Sequence, residues 1–102
     1  MVKKRYNAFH NTDLDLLLRY LQVNTLIVAG VNTNNCITAT TIDGCVRDYG
    51  MIVVTDCVAS SYGRHMHEIA LELIENTFGW VMTSKEVLDL MKSKKGLSEL
   101  QK

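Results

Sequence analysis

Two continuous apolar runs, Thr25-Leu26-Ile27-Val28-Ala29 and Met51-Ile52-Val53-Val54, constrain this chain more than any other feature. Neither alternates apolar with polar residues. Each therefore reads as a strand buried on both faces of a sheet, the pattern of parallel strands. Segments of helical spacing surround them. Leu14, Leu17, Leu18 and Leu21 predict a helix over about 13–21, with Thr12 and Asp15 spaced as a capping box. The polar turn Asn32-Thr33-Asn34-Asn35 opens a second helix, whose inward positions are Ile37, Ala39, Ile42, Cys45 and Val46 and which closes at Gly50. A loop through Ser60, Ser61 and Gly63 leads to a third, with Ile69, Ala70, Leu73, Ile74 and Phe78 inward. Trp80-Val81-Met82 is a short third strand. Thr83 and Glu86 form another capping box, and Val87, Leu88 and Met91 line a last helix before a polar tail expected to fray.

Helix and strand thus alternate from one end to the other. Short strands joined by helices require right-handed crossovers and a parallel sheet covered on both sides. The expected class is α/β, three layers in the order α-β-α, with the 25–30 strand central. In such sheets ligands bind beyond the C-terminal ends of the strands. That places a site among the segment before the first helix, the 30–36 turn and the loop after Asp56.

Composition excludes several classes of function. Eleven basic and 11 acidic residues balance, so no broad cationic surface awaits nucleic acid. No apolar run approaches the length of a membrane span. The opening MVKKRYNAF carries positive charge without the apolar stretch of a secretory signal. Three cysteines, an odd number without a C-x-x-C pair, argue for free thiols in a reducing cytoplasm. Cys36, Cys45 and Cys57 lack the spacing of a zinc site, and His65-x-His67 has no acidic or thiol company, so no metal or other cofactor is expected.

Cys36 stands where a strand has ended and a helix begins. Backbone N–H groups and the dipole at a helix N-terminus favour a thiolate, and the same N–H groups can hold an oxyanion. Position alone leaves two roles open, nucleophile or small buried packing residue. Cys45 and Cys57 are assigned to packing.

The segment Gly30-Val31-Asn32-Thr33-Asn34-Asn35-Cys36-Ile37 resembles the G-V-x-T-N-x-C-V signature of the isochorismatase-like cysteine hydrolases. This family includes nicotinamidases, carbamoylsarcosine amidohydrolases, and ureidoacrylate and biuret hydrolases. Further stretches match in order. Lys3 to Phe9 is similar to K-x-R-Y-S-A-F, and Thr12-Asp13-Leu14 to T-x-L. Thr40 to Tyr49 is similar to A-T-x-x-D-A-x-x-R-x-Y, with Asp43 at the Asp. Val53 to Ser60 is similar to V-V-x-D-A-x-A-S, His67 to Leu71 to H-x-x-A-L, and Gly79 to Val87 to G-x-V-x-S-x-E-V.

The resemblance implies an isochorismatase-like, Rossmann-like fold with Cys36 as nucleophile and Lys3 beside it, Lys4 being the competing lysine. It implies a cis peptide at Val31-Asn32 and an oxyanion hole from the backbone N–H groups of Asn32 and Cys36. Asn32 stands where the family usually has Ala, and Asn35 where it has Val, so Asn32 becomes a candidate for substrate choice. Tyr6 and Phe9 are candidate pocket walls, and Arg5 a candidate anion contact. The implied substrate is a small amide or ureido compound. Isochorismatases proper, which cleave a vinyl ether, lack the Cys. The family's catalytic Asp belongs to a strand preceding Lys3 by most of a half-domain, and Asp43, Asp48 and Asp56 do not match it. Residues 1–102 are therefore expected to be the C-terminal half of one domain: a fragment, a truncated product or one piece of a split enzyme. Such a half should form homo-oligomers or pair with the missing N-terminal half.

Overall fold

The computed structural model describes Lys3 and residues 5–92; Lys4 and the tail beyond Lys92 lie outside the described residues. The elements run α1 (Leu14–Tyr20), β1 (Thr25–Val31), a wide helical turn at Thr33–Ile37, and α2 (Thr38–Val46). They continue with β2 (Gly50–Ala59), α3 (Arg64–Leu73), a second wide turn at Ile74–Phe78, β3 (Trp80–Met82) and α4 (Ser84–Lys92). The expected alternation of helix and strand is present. Both strand pairs are parallel, in the order β1-β2-β3.

The middle strand is β2, not β1 as the apolar runs suggested. Met51, Ile52 and Val53 are fully buried. Met51 and Val53 face one layer. There Met51 joins Phe9 and Tyr49, with Leu14 and Leu18 against them, while Val53 joins Ile37, Val58 and Ile74. Ile52 and Val54 face the other layer and meet Val87 of α4. The three layers are therefore α1, α2 and α3, then the sheet, then α4.

The second layer of helix is narrow. Leu26 and Val28 of β1 pack on the first face. Ile27, which points the other way in register with Ile52, is 42% exposed where Ile52 is 0%. Burial of β1 on both faces is thus corrected: α4 covers β2 and β3, and among the described residues β1 forms an edge with one bare face.

Helical spacing overstated the buried stripes in the same way. Ile69 and Leu73 of α3, Val46 of α2, and Leu88 and Met91 of α4 are exposed. Only Ala70, Ile74 and Val87 among the predicted inward positions of the last two helical segments are buried.

One capping box forms and the other does not. The Thr83 N–H donates to Glu86 Oε1 (3.1 Å) and the Glu86 N–H to Thr83 Oγ1 (3.2 Å). Thr12 instead donates its hydroxyl to the Ala8 carbonyl at 2.6 Å. Asp15, in the first turn of α1, instead accepts from Tyr49 Oη (2.6 Å), Arg19 Nε (3.2 Å) and Arg47 Nη1 (3.3 Å). Arg47 also donates to Asp43 (2.8 Å), which accepts from Asn7 Nδ2 (2.6 Å). This network ties the 7–15 segment to α2, beneath which Phe9 stacks on Tyr49.

The Tyr49 hydroxyl, aided by Arg19 and Arg47, holds the Asp15 carboxyl below its ordinary 3.8. Burial pushes Asp43 upward, but the bonds from Arg47 and Asn7 outweigh it and leave that carboxyl lowered too. Carboxylates depressed by folding add stability above their unfolded value and lose it as pH falls through the folded value. The thermal midpoint is therefore expected to hold above about pH 5 and to drop as pH falls below that and on through the lowered carboxyl values, and Asp15→Asn should flatten the drop. Circular dichroism melts check this, and a midpoint unmoved by acid would contradict it.

Candidate active site

β1 leads directly into the turn that carries Cys36. Gly30 takes φ 122°, a left-handed conformation that costs glycine little, and the Val31-Asn32 peptide is cis. The Asn32 carbonyl then accepts the N–H groups of Asn35 (3.0 Å) and Ile37 (3.2 Å), closing a turn wider than an α-helical one. Thr38 Oγ1 donates to the Thr33 carbonyl and Thr41 Oγ1 to that of Ile37, both at 2.6 Å, joining the turn to α2. Cys36 lies inside this turn, two residues ahead of α2, rather than as the first residue of the α-helix.

Lys3 reaches it from 33 residues upstream. Its Nζ is 3.4 Å from Cys36 Sγ and 3.0 Å from the Arg5 carbonyl oxygen. Lys3, Arg5, Tyr6 and Cys36 line an open cleft of about 420 Å³. The thiol is half-buried.

The remaining candidates separate. Tyr6 is exposed on the cleft. Phe9 is not a pocket wall: it is 3% exposed, in the core between Tyr49 and the Arg47 guanidinium. Asn32 directs its Oδ1 to the Ser61 N–H at 2.9 Å. Cys45 packs beside Phe9 and Met51, whereas Cys57 is exposed and does not pack as expected. His65 is exposed; His67 Nδ1 lies 2.7 Å from Thr33 Oγ1. Asp56 commits both oxygens to Ser84, accepting its N–H (2.8 Å) and its hydroxyl (2.6 Å) at the start of α4. The Ser84 hydroxyl, then its N–H, holds that carboxyl low. Among the described residues no three His, Cys, Asp or Glu side chains gather as a metal would require, and no helix is long and apolar enough to cross a membrane.

Sequence reasoning missed two features of this region. The Asp43–Arg47 pair is an i,i+4 ion pair whose spacing was legible. The bond between Thr33 and His67 joins residues 34 apart, and no local signal announces it.

The chain is 43% identical over 81 residues to the ureidoacrylate amidohydrolase RutB of Methylobacterium radiotolerans, a match spanning 79% of this chain and 31% of that protein. An isochorismatase-like hydrolase from Alkaliphilus metalliredigens superposes with a TM-score of 0.83 at 33% identity, over 88% of this chain and 49% of the other. The nicotinamidase PncA of Bacillus subtilis superposes at 0.76 and 34% identity, over 80% and 44%. The chain thus spans half or less of the length of the relatives it matches. The isochorismatase domain profile matches residues 1–86, and the chain belongs to the isochorismatase family.

Proposed function

We infer that this chain is the C-terminal half, residues 1–102, of a cysteine hydrolase domain that cleaves a C–N bond of a small amide or ureido compound. The observation that carries this is the 3.4 Å approach of Lys3 Nζ to Cys36 Sγ in an open cleft at the end of a parallel strand. The Cys36 thiolate attacks the substrate carbonyl carbon. The backbone N–H groups of Asn32 and Cys36, on the two sides of the wide turn, receive the oxyanion. Collapse breaks the C–N bond, the family's Asp on the other half of the domain gives the nitrogen a proton, the nitrogen leaves as an amine or ammonia, and a thioester remains on Cys36. Water then releases the acid and restores the thiol. Tyr6 and Arg5, on the same cleft, contact the substrate. The names of the relatives, an amidohydrolase and a nicotinamidase, support amide chemistry. Three free thiols suit a reducing cytoplasm.

A second reading has its own observation. The bare face of β1 and the outer side of α1, where Leu16 and Tyr20 are 74% and 82% exposed, suit a half-domain that docks on another chain. That chain is either a further copy or the half carrying the family's Asp. Docking without catalysis is the alternative to the hydrolase.

Labelling decides between them. With iodoacetamide near neutral pH, Cys36 is expected to react faster than the more exposed Cys57, because the Lys3 ammonium lies 3.4 Å from its sulfur. Cys36 reacting no faster than Cys57 would favour the non-catalytic half-domain.

A further inference from the structure

The four residues between the end of β1 and Cys36 all send their side chains to one stretch of chain, residues 60–67. Asn32 Oδ1 accepts the Ser61 N–H at 2.9 Å, and Asn34 Oδ1 accepts the Ser60 hydroxyl at 2.6 Å. Asn35 Nδ2 donates to Tyr62 Oη at 3.3 Å. Thr33 Oγ1 and His67 Nδ1 lie 2.7 Å apart.

These bonds differ in what replaces them when they break. Asn32–Ser61 and Asn35–Tyr62 lie at the exposed rim, where water substitutes readily. Thr33 is 0% exposed, so its hydroxyl has no solvent to turn to. Losing its partner leaves a buried polar group unsatisfied, which is the costly case. Thr33 also opens the wide turn, three residues before Cys36, and its carbonyl accepts from Thr38. Its side chain therefore fixes the turn at its first residue.

We propose that His67 is a positioning residue for Cys36. Through Thr33 it holds the wide turn against α3 and so keeps the Cys36 sulfur within reach of Lys3 Nζ. His67 touches no reacting atom; it acts on the sulfur only through the turn. It is not needed to dock α3, because Ala70 and Ile74 are buried and Leu71 packs with Ile37, Val53 and Val58. This inference rests on the reading of Cys36 as nucleophile.

The test measures iodoacetamide labelling near neutral pH, cysteine by cysteine, with Cys45 and Cys57 as internal references. His67→Ala is expected to slow Cys36 about tenfold, the scale of one lost hydrogen bond, and to leave Cys57 unchanged. His67→Asn, which can place a side-chain polar atom where Nδ1 stood, should restore most of the rate. Thr33→Val should match His67→Ala, and the double variant should be no slower than either single one, since both remove one bond. Cys36 labelling at or above the wild-type rate in His67→Ala, with Cys45 and Cys57 unmoved, overturns the proposal. If Cys45 becomes as reactive as Cys57, that variant has unfolded, and Thr33→Val against Thr33→Ser decides. A slow Val and a normal Ser support the positioning role; two wild-type rates overturn it. Wild-type Cys36 reacting no faster than Cys57 is a separate failure, that of the nucleophile.

Discussion

Joined to the first half of a relative's domain, the chain is expected to hydrolyse a small amide or ureido compound, and Cys36→Ala should abolish that turnover. The loss should be on the order of a million-fold, the scale found when the nucleophile is removed from a catalytic unit. The chain by itself should be slower than the joined form by about a hundred- to ten-thousand-fold, the usual contribution of a general acid–base group. Part of the reason is that three of its carboxylates are taken up elsewhere. Asp43 is bound to Arg47 and Asn7, Asp15 to Tyr49 and two arginines, and Asp56 to Ser84. Each is a structural acceptor with its oxygens engaged. The cleft beside Cys36 is also open, so a substrate would be poorly held. Release of ammonia or amine followed over time checks both statements. Robust hydrolysis by the unaided chain would make one of these carboxylates, Asp56 first, the base.

Lys3→Met is the second large effect. It keeps the length of the side chain and removes the ammonium 3.4 Å from the sulfur. Turnover by the joined form should fall about a hundred- to a thousandfold, as when a preorganised electrostatic partner is lost. Lys3→Arg should recover only part of it, because a planar guanidinium does not place a compact charge at the same point. Lys4→Met should leave turnover close to the wild-type value. Steady-state rates of the three variants test the choice between adjacent lysines, and loss in Lys4→Met without loss in Lys3→Met would reverse it.

Much of this arrangement was legible before any coordinates. The alternation of elements followed from two apolar runs and the helical spacing around them. The Thr83–Glu86 box followed from side chains that satisfy neighbouring backbone groups, and the turn before Cys36 from a polar run directly after a strand. Such features are local, so the sequence carries them directly. What depends on distant partners was not legible. Leu26 to Val28 and Met51 to Val53 are equally apolar, yet only β2 is covered on both faces, because α4 lies over β2 and β3. Phe9 looked like a pocket aromatic until Tyr49, 40 residues on, supplied its stacking partner. Asp15 had the spacing of a cap, but Tyr49 and Arg47 offered it stronger donors. Cys57 follows a buried run, yet emerges on an exposed stretch of a strand that runs five residues past Val54.

The site divides along the same line. The candidate nucleophile and its turn are contiguous in sequence, whereas the contact with Lys3 spans 33 residues and that between Thr33 and His67 spans 34. Motif order pointed to the first of these long contacts. Nothing local pointed to the second.

The central claim, that Cys36 forms the covalent intermediate, is tested most directly by quenching the joined enzyme in acid during turnover and mapping the mass of its peptides. The account predicts the substrate's acyl group on the peptide containing Cys36, released by hydroxylamine as a thioester is, and absent from the peptides containing Cys45 and Cys57. Undiminished turnover by Cys36→Ala, with no acyl group on any Cys36 peptide of the parent enzyme, would contradict it.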